Sequence, residues 1–397
     1  RSCPTPPGWS GCGPRSRADT VDPTAQELQT DKGHRRNAWI WGALLLSGLA
    51  WGGWTLASGG PKAGELQLAA WLDGRAGTAL NKGLRLPAQS SLETGQAALR
   101  YRLLGDTGAQ VALGCPQWMF YRDGLRPQPG VGAAPFEARQ RLLRHWTRQL
   151  QDKGIATLVV AVPDKSRIEA DHLCGLPVAP VMLQRLDLWQ QRLQADGIAF
   201  ADLRPALQAQ EQTQPVFFRT DVHMNAEGAR AAALAVARAA LPLLGGQRGS
   251  QAFEESAPGP LQPLPGDLLA LAGLADAPAG WRPQRDEIRP QAITPVRGGG
   301  LLDETPPVQV LLAGSSNGLR SNFAPQLGRA LGHEVWNLSM DGGQFSGAMV
   351  SALKRRASWP ASLRLVIWEF SENTLSLPLT DDEKAALKEL DAASPPA

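Results

Sequence analysis

The pair of serines that follows an apolar segment offers the best candidate nucleophile in the sequence. Residues 310–313 read Val-Leu-Leu-Ala, and Gly314, Ser315, Ser316 and Asn317 come directly after them. Parallel sheets gather catalytic groups at the carboxyl ends of their strands. A serine at the start of the following helix combines an exposed hydroxyl with backbone N–H groups that can hold an oxyanion. The simpler interpretation is that Gly314 and the serines only turn the chain and cap the helix.

A carboxylate and an imidazole stand two residues apart at the end of the segment 217–223, which reads Phe-Phe-Arg-Thr-Asp-Val-His. In an extended segment such residues point the same way, so Asp221 and His223 are expected side by side. A serine nucleophile needs a general base, and the base benefits from a carboxylate that fixes its tautomer. The alternative is a solvated His223 beside a helix N-terminus. Taken together, the two features favour a triad of Ser316, His223 and Asp221.

The elements that must position these residues alternate between strand and helix. Apolar runs predict strands at 110–113, 118–121, 156–162, 198–201, 308–312, 335–338 and 365–368. Helical spacing predicts helices at 136–150, 179–195, 226–244, 317–331, 345–356 and 381–390. Residues 245–307 break the alternation with two Pro/Gly-rich stretches, which are typical of an insertion. The alternation predicts an α/β fold with a doubly wound, largely parallel sheet.

Composition limits the class of partner. The chain has 397 residues, of which 43% are apolar and 19% are charged, so it can bury a large core. The chain has 40 Lys and Arg side chains and 37 Asp and Glu side chains, which gives a net charge of only +3. A nucleic-acid-binding protein needs a basic footprint that this balance does not provide. Nucleic acid is therefore excluded as the partner.

The N-terminal region predicts a membrane anchor. Residues 1–37 are rich in Pro, Gly, Ser and Thr and are expected to be a disordered cytoplasmic tail. Residues 38–57 carry no charge, and twenty helical residues span about 30 Å, the thickness of a bilayer core. Tryptophans lie near both ends of the run, as an interfacial belt would place them: Trp39, Trp41, Trp51 and Trp54. The basic residues before the run, Lys32, Arg35 and Arg36, place the N-terminus in the cytoplasm and the rest outside. A signal peptide cleaved near Ala57 is the alternative.

The four cysteines divide across this anchor. Cys3 and Cys12 precede it, whereas Cys115 and Cys174 follow it. In an oxidising compartment the exported pair is expected to form a disulfide. The sequence contains no Cys-x-x-Cys spacing and no histidine cluster at metal-ligand intervals. Neither a metal nor an organic cofactor is therefore expected.

Six motifs in order resemble one known family, the AlgX/AlgJ-like alginate O-acetyltransferases with SGNH-hydrolase-like catalytic domains. The resemblance covers roughly residues 65–375. The matching segments are Trp118-Met119-Phe120, residues 162–167 (Val-Pro-Asp-Lys-Ser-Arg), residues 221–229 (Asp-Val-His-Met-Asn-Ala-Glu-Gly-Ala), Gly314-Ser315-Ser316, residues 337–342 (Asn-Leu-Ser-Met-Asp-Gly) and residues 367–370 (Ile-Trp-Glu-Phe). The chain departs from the family pattern at Met224, where tryptophan is usual, and at Asn317, where an aromatic residue is common.

The resemblance implies roles for the matched residues. Ser316 would take up an acetyl group as an ester, His223 would act as general base and acid, and Asp221 would orient it. The backbone N–H groups of Ser316 and Gly342 would form the oxyanion hole. The acceptor would be a hydroxyl of an exported polysaccharide, and a membrane-bound O-acyltransferase would supply the acetyl group.

The resemblance also implies a location and a domain plan. The protein would be a single-pass protein of the bacterial inner membrane with its catalytic domain, residues 62–391, in the periplasm and a disordered tail at 392–397. Only 27 residues follow Phe370, too few for a β-sandwich module of about 100 residues. We therefore expect the anchored AlgJ-like architecture, without the carbohydrate-binding module of the AlgX branch.

Two other functions remain open from the sequence. A periplasmic carbohydrate acetylesterase would use the same triad, with water in place of the sugar hydroxyl. A non-catalytic scaffold of a polysaccharide export complex would retain the residues without using them. Triad chemistry alone does not distinguish these functions, because water exclusion and acceptor binding decide where the acetyl group goes.

Overall fold

The N-terminal part of the chain is helical. The computed structural model describes residues 23–84, 88–297 and 306–393, and the chain divides into compact units at 1–90 and 91–397. The first unit contains α1 (Pro23–Gly59), a 3-10 turn (Ala63–Leu66), α2 (Leu68–Leu72) and α3 (Arg75–Gly83). Within α1, His34–Gly59 is long and apolar enough to cross a bilayer.

Helix α1 begins well before the apolar run, at a residue inside the predicted tail. Residues 23–37 are helical, whereas residues 1–22 lie outside the described residues. Pro23 stands at the first helical position, where its fixed φ and missing N–H are tolerated. Several good helix formers follow it, including Ala25, Gln26, Glu27 and Leu28.

The second unit contains the remaining elements. Its helices are α4 (Gln89–Leu104), α5 (Arg122–Leu125), α6 (Ala134–Gln151), α7 (Lys165–Ile168), α8 (Pro180–Ala195), α9 (Arg204–Glu211), α10 (Ala226–Ala240), α11 (Asp267–Leu271), α12 (Phe323–Leu331), α13 (Gly347–Lys354) and α14 (Asp381–Ala393). Its strands are β1 (Val111–Leu113), β2 (Met119–Tyr121), β3 (Ala156–Val162), β4 (Phe253–Glu255), β5 (Gln262–Pro263), β6 (Glu287–Ile288), β7 (Ile293–Pro295), β8 (Val310–Ala313), β9 (Val335–Asn337) and β10 (Leu365–Ser371). Short 3-10 turns lie at Ala170–Leu173, Leu241–Leu244, Ser316–Gly318, Arg356–Ser358 and Glu372–Ser376.

A parallel sheet of four strands forms the centre of this unit. The strand order is β3-β10-β8-β9, and each neighbouring pair is parallel. Val160 and Ile367 belong to the core under α9, α10 and α12, whereas Val159 and Trp368 belong to the core under α6, α8 and α13. Both faces are therefore covered by helices, which explains why most residues of the strands are apolar. The predicted doubly wound parallel sheet is confirmed.

Two sequence expectations change at the edges of this fold. The predicted strand at 198–201 is reduced to a single parallel bridge between Phe200 and Val159. The predicted helix at 317–331 begins only at Phe323, because Ser321 and Asn322 adopt positive φ angles of 52° and 59°. Left-handed residues cannot continue a right-handed helix. The segment after the serines is therefore a short 3-10 turn that is separate from α12.

Two features outside the central sheet bear on the site. The Pro/Gly-rich insertion folds into two small antiparallel pairs, β4 with β7 and β5 with β6, and carries α11 between β5 and β6. Cys115, between β1 and β2, forms a disulfide with Cys174, whose Cα lies 4.9 Å away. The disulfide ties the loop between β1 and β2 to the end of the 3-10 turn Ala170–Leu173.

Candidate active site

The structure brings Ser316, His223 and Asp221 into one chain of hydrogen bonds. The Ser316 Oγ lies 2.7 Å from Nε2 of His223, and Nδ1 of His223 lies 2.6 Å from Oδ1 of Asp221. His223 and Asp221 are only 4% and 5% exposed, whereas Ser316 is half-buried at the carboxyl end of β8. A half-buried hydroxyl next to a buried imidazole can meet a substrate while its proton-transfer partner stays shielded from water.

The nucleophile turn, residues 314–318, directs its two serines to different partners. The Ser315 hydroxyl donates to Oε1 of Glu369 at 2.8 Å, and the Ser315 N–H donates to Oε2 at 2.6 Å. Glu369 is 1% exposed, and this burial raises its pKa to about 7 although the hydrogen bonds from Ser315 act in the opposite direction. A Cβ on Gly314 would clash with Oγ of Ser339 and lie 2.8 Å from Oε2 of Glu369, so any other residue there would displace these side chains. Ser315 is therefore held by Glu369, and Ser316 is left to face His223.

The base loop, residues 217–224, is a bend rather than the extended segment expected from the sequence. An antiparallel bridge between Phe217 and Met224 closes the bend. Inside it, the N–H of His223 donates to Oδ1 of Asp221 at 2.9 Å, an Asx-type turn that competes with extended structure. The turn still places the carboxylate beside the imidazole, so the expected pairing forms by a different backbone route.

The second oxygen of Asp221 is held by the insertion. The N–H of Asp267, the first residue of α11, donates to Oδ2 of Asp221 at 2.9 Å. Burial alone would raise the pKa of Asp221, but the hydrogen bond and charge of His223, together with this N–H, lower it to about 2. Asp221 therefore stays ionised at neutral pH and can stabilise a positive charge on His223.

A second aspartate of the insertion fixes the start of the bend. Oδ2 of Asp286 accepts hydrogen bonds from the Thr220 N–H at 2.8 Å and the Thr220 hydroxyl at 2.7 Å. The Leu268 N–H in turn donates to the Thr220 carbonyl at 3.1 Å. The insertion therefore supports the base loop through these hydrogen bonds.

Lys165 supports the base loop from the other side. Its ammonium donates to the carbonyls of Met119, Arg219 and Asp221 at 2.7, 2.8 and 3.1 Å. It also lies 5.1 Å from the ring centres of Trp118 and Phe120. Burial lowers the pKa of Lys165 to about 7. Three N–H donors meet three carbonyls, so the charged form satisfies every acceptor of this cage.

The carboxylate of Asp267 approaches His223 from the solvent side. Its Oδ2 lies 3.5 Å from Nδ1 of His223, and the side chain is 53% exposed. Burial and the neighbouring charge of Asp221 raise the pKa of Asp267. His223 thus has one buried carboxylate that orients it and one exposed carboxylate at its edge.

The loop that carries Gly342 lies alongside the nucleophile turn. The Met340 N–H donates to the Gly314 carbonyl at 3.1 Å, and an ion pair of 2.9 Å joins Arg320 to Asp341. Gly342 has a φ of 68°, a conformation that glycine adopts without strain. Space is open around it, since an added Cβ would meet no atom within 4 Å. The sequence-predicted Gly342 therefore belongs to a loop anchored directly to the turn of Ser316.

In the described part of the chain, two clusters of Asp, Glu and His residues have potential metal-ligand atoms that lie within 4.8 Å of one another inside each cluster. They are Asp221, His223 and Asp267, and Glu169, His172 and Glu211. In the first group Asp221 already accepts hydrogen bonds from His223 and Asp267. In the second group Oε1 of Glu169 accepts the N–H groups of Val216 and Phe217.

Two openings flank the His223–Asp221 pair. A groove of about 600 Å³ is lined by His223, Asp221, Arg289, Arg320 and other residues of the insertion and of the chain after Ser316. A small cavity of about 180 Å³ lies among the ends of β3 and β10, the base loop, α11 and the nucleophile turn. Either opening gives a substrate access to residues adjoining the reactive pair.

Four supporting residues, Lys165, Asp267, Asp286 and Glu369, were not assigned a role from the sequence. Glu369 carries a usable signal, because it is an acid inside the otherwise apolar run Leu365–Phe370. Asp267 and Asp286 carry no such signal, since acids in a Pro/Gly-rich loop are ordinarily solvated.

Comparison with known proteins identifies the family to which the chain is similar. The family model described as the SGNH hydrolase-like domain of acetyltransferase AlgX matches residues 111–372. The probable alginate O-acetylase AlgJ of Pseudomonas syringae pv. tomato is 31% identical over 294 residues, which cover 70% of this chain and 72% of that protein. The corresponding protein of Pseudomonas putida is 27% identical, with coverage of 71% and 74%.

Solved structures show the same fold. The O-acetyltransferase domain of Pseudomonas putida AlgJ matches with a TM-score of 0.61 at 24% identity, covering 72% of this chain and 100% of that domain. Pseudomonas aeruginosa AlgX matches with a TM-score of 0.55 at 23% identity, covering 71% and 67%. Because the family model matches most of the second unit, the chain belongs to the AlgX family of SGNH hydrolase-like acetyltransferase domains.

Proposed function

We propose that this protein is an O-acetyltransferase that carries an acetyl group on Ser316 and transfers it to a hydroxyl of an exported polysaccharide. The observation that supports this most strongly is the continuous hydrogen-bonded chain from Ser316 through His223 to Asp221. Relatives described as probable alginate O-acetylases supply the reaction class and the kind of acceptor. An alginate-like polymer is therefore the first acceptor to test.

The first half-reaction forms the acetyl-serine. His223 Nε2 removes the Ser316 hydroxyl proton as Oγ attacks the carbonyl carbon of the acetyl donor. The backbone N–H groups of Ser316 and Gly342 stabilise the oxyanion. When the intermediate collapses, the donor oxygen leaves and receives the proton from His223. Asp221 remains ionised throughout and stabilises the imidazolium.

The second half-reaction reverses these roles. A sugar hydroxyl gives its proton to His223 and attacks the acetyl-serine carbonyl, and Ser316 leaves with the proton from His223. Water competes for the same intermediate. A bound hydroxyl held in attack geometry can reach an effective molarity of about 10⁵ M, which unpositioned water does not match. Acceptor binding thus separates a transferase from an esterase.

The location that we propose follows from α1. Residues 38–57 would anchor the protein in the bacterial inner membrane, with the tail before them in the cytoplasm and the catalytic domain, residues 62–391, in the periplasm. Basic residues before the apolar run support this orientation. A membrane-bound O-acyltransferase would then supply acetyl groups from the cytoplasmic side.

The test uses the full chain in detergent with an activated acetyl ester. We expect mass spectrometry of rapidly quenched protein to find an acetyl group on the peptide containing Ser316. Ser316→Ala and His223→Ala should form no adduct. Ser315→Ala should still form one, because the Ser315 hydroxyl donates to Glu369 and is not the nucleophile. An adduct that survives in Ser316→Ala would reject the assignment of the nucleophile.

The acceptor is tested by product partition. Increasing amounts of short alginate oligosaccharides should shift acetyl from free acetate to the sugar. An acetyl-serine that yields acetate alone with every exported polymer tried would favour the esterase. No acetylation of Ser316 under any condition would favour the scaffold.

A further inference from the structure

The larger of the two openings beside the triad is a groove that contains the general base. Its volume of about 600 Å³ is in the range of pockets that enclose whole organic ligands. His223 and Asp221 line it, and so does Leu319, three residues after Ser316. A polymer lying in this groove would therefore run past the base and past the segment that follows the nucleophile.

The charged side chains of the groove do not favour an anion. Among the residues that the structure describes, three carboxylates and two guanidinium groups line it: Asp221, Glu227, Glu287, Arg289 and Arg320. Arg230, 2.7 Å from Glu227, balances one of these carboxylates. Asp267 adds a further carboxylate beside the reactive pair, 3.5 Å from Nδ1 of His223. The surroundings of the base therefore carry more negative than positive charge.

Both arginines of the lining also stand close to acidic residues. Arg320 forms an ion pair of 2.9 Å with Asp341. Glu287 is the first residue of β6 and Arg289 follows the strand, so opposite charges stand two residues apart on one wall. Neither guanidinium belongs to a cluster of positive charge, which recognition of a polyanion requires.

Apolar side chains form much of the remaining wall. Phe218, Leu264 and Ile288 are half-buried there, and Pro290 and Leu319 are exposed. Such surfaces can cover the C–H faces of sugar rings, because the contact removes apolar surface from water. A carboxylate pressed against the same surfaces would lose its hydration without gaining a cation in exchange.

We propose that this groove is the acceptor site and that it takes an uncharged segment of polysaccharide and not a polyuronate. This inference rests on the proposed transferase function and names the class of its acceptor. A polyuronate brings a carboxylate with every ring, so several like charges would enter a groove that is already negative. The chain would then share the reaction of the alginate O-acetylases but not the acceptor that their name states.

The experiment compares acceptors in the full chain in detergent. Acetyl transfer from an activated acetyl ester is measured with alginate, cello- and N-acetylated chito-oligosaccharides of equal length. The KM of at least one uncharged series should be roughly three- to tenfold below that of alginate. Raising the ionic strength from about 0.05 to about 0.5 M should lower the KM for alginate and leave the uncharged series unchanged, because salt screens the repulsion. Failure to acetylate alginate at all is the extreme form of the same result.

Two charge variants locate this effect in the groove. Glu287→Gln should lower the KM for alginate roughly two- to threefold, and Arg289→Gln should raise it by a similar factor. Neither should change the KM of the uncharged series. Glu254→Gln is the matched control, since Glu254 is an exposed acid of the same insertion, on β4, outside the lining.

Titration calorimetry of the Ser316→Ala protein separates this inference from the proposed function. An acetyl-serine that forms in the wild type but acetylates no sugar would defeat the transferase. Tighter binding of an uncharged series than of alginate, weakened for alginate by Arg289→Gln alone, would still support the groove.

Four results would overturn the uncharged acceptor. They are a lower KM or tighter binding for alginate than for both uncharged series, a KM for alginate that rises with salt, a Glu287→Gln protein that behaves like Glu254→Gln, and no binding of any series to the Ser316→Ala protein.

Discussion

At the scale of residues, the site contains an unusual pair of buried titratable groups beneath the reactive ones. Glu369 lies under the nucleophile turn, and Lys165 lies under the base loop. Burial raises the pKa of Glu369 to about 7 and lowers the pKa of Lys165 to about 7. Each group fixes backbone atoms of a loop that carries a triad residue, so each helps to position that residue.

The pKa of Glu369 predicts a pH-dependent stability. The folded pKa of about 7 exceeds the ordinary value of 4.5, so the native state binds this proton more tightly than the unfolded state does. The contribution of Glu369 to the free energy of unfolding should therefore be greatest below pH 4.5 and fall as the pH rises to about 7. Glu369→Gln should remove this fall. Urea unfolding of both proteins across this range measures the difference.

The comparison with Glu369→Gln isolates one carboxyl among several. Burial also raises the pKa values of Asp164, Glu169 and Asp267, and these remain in both proteins. Identical pH profiles for the wild type and Glu369→Gln would show that the Glu369 carboxyl titrates normally.

At the scale of elements, local pattern could predict the sheet but not the supports of the site. Apolar runs such as 156–162 and 365–368 indicated buried strands, because a strand covered on both faces needs no polar residue. The triad of Ser316, His223 and Asp221 could be predicted from the sequence, because each residue lies next to such a strand or to the start of a helix. Asp267 and Asp286 were not, since they meet Asp221 and Thr220 across 46 and 66 residues of chain. The path of an irregular insertion is decided by tertiary contacts that local pattern does not encode.

The disulfide is the element-scale feature most open to a direct test. Cys115 and Cys174 are 59 residues apart, and closing a loop of that length stabilises the native state by about 4 kcal/mol in the chain-entropy estimate. Cys115→Ser/Cys174→Ser should lower the free energy of unfolding by about that amount, measured by urea denaturation. Cys3→Ser/Cys12→Ser serves as control, because those cysteines precede the anchor.

Thiol labelling checks the bridge independently. In denatured but unreduced protein purified from the exported compartment, Cys115 and Cys174 should resist alkylation until a reductant is added. Two thiols that react at once at these positions would contradict the bridge.

At the scale of the whole molecule, α1 and the second unit differ in the exposure of their large apolar side chains. The described part of α1 exposes large apolar side chains, including Leu44, Leu46 and Leu49, along the stretch that could cross a bilayer. A soluble protein does not leave such a helix in water. The catalytic unit, in contrast, has its own core on both faces of its sheet.

Retention of the anchor predicts a particular form of the mature protein. Expressed in a Gram-negative host, the full chain should stay in the membrane fraction through alkaline extraction, and its intact mass should include residues 38–57. A chain lacking residues 38–57 should remain in the cytosol, with Cys115 and Cys174 reduced there. A mature protein that starts near Ser58 would instead establish cleavage of a signal peptide.

The position of β10 also governs when the protein can fold. It is the last strand along the chain, yet it lies between β3 and β8, which do not pair with each other. A chain cut just before Leu365 retains 364 of its 397 residues but cannot assemble this sheet. During synthesis β8 can pair with β9 and β3 can form its bridge to Phe200, but the two halves of the sheet cannot join until β10 has emerged. The sheet is therefore completed only when synthesis is almost finished, and premature termination leaves a fragment with exposed apolar strand edges, which is prone to aggregate, instead of a weakened enzyme.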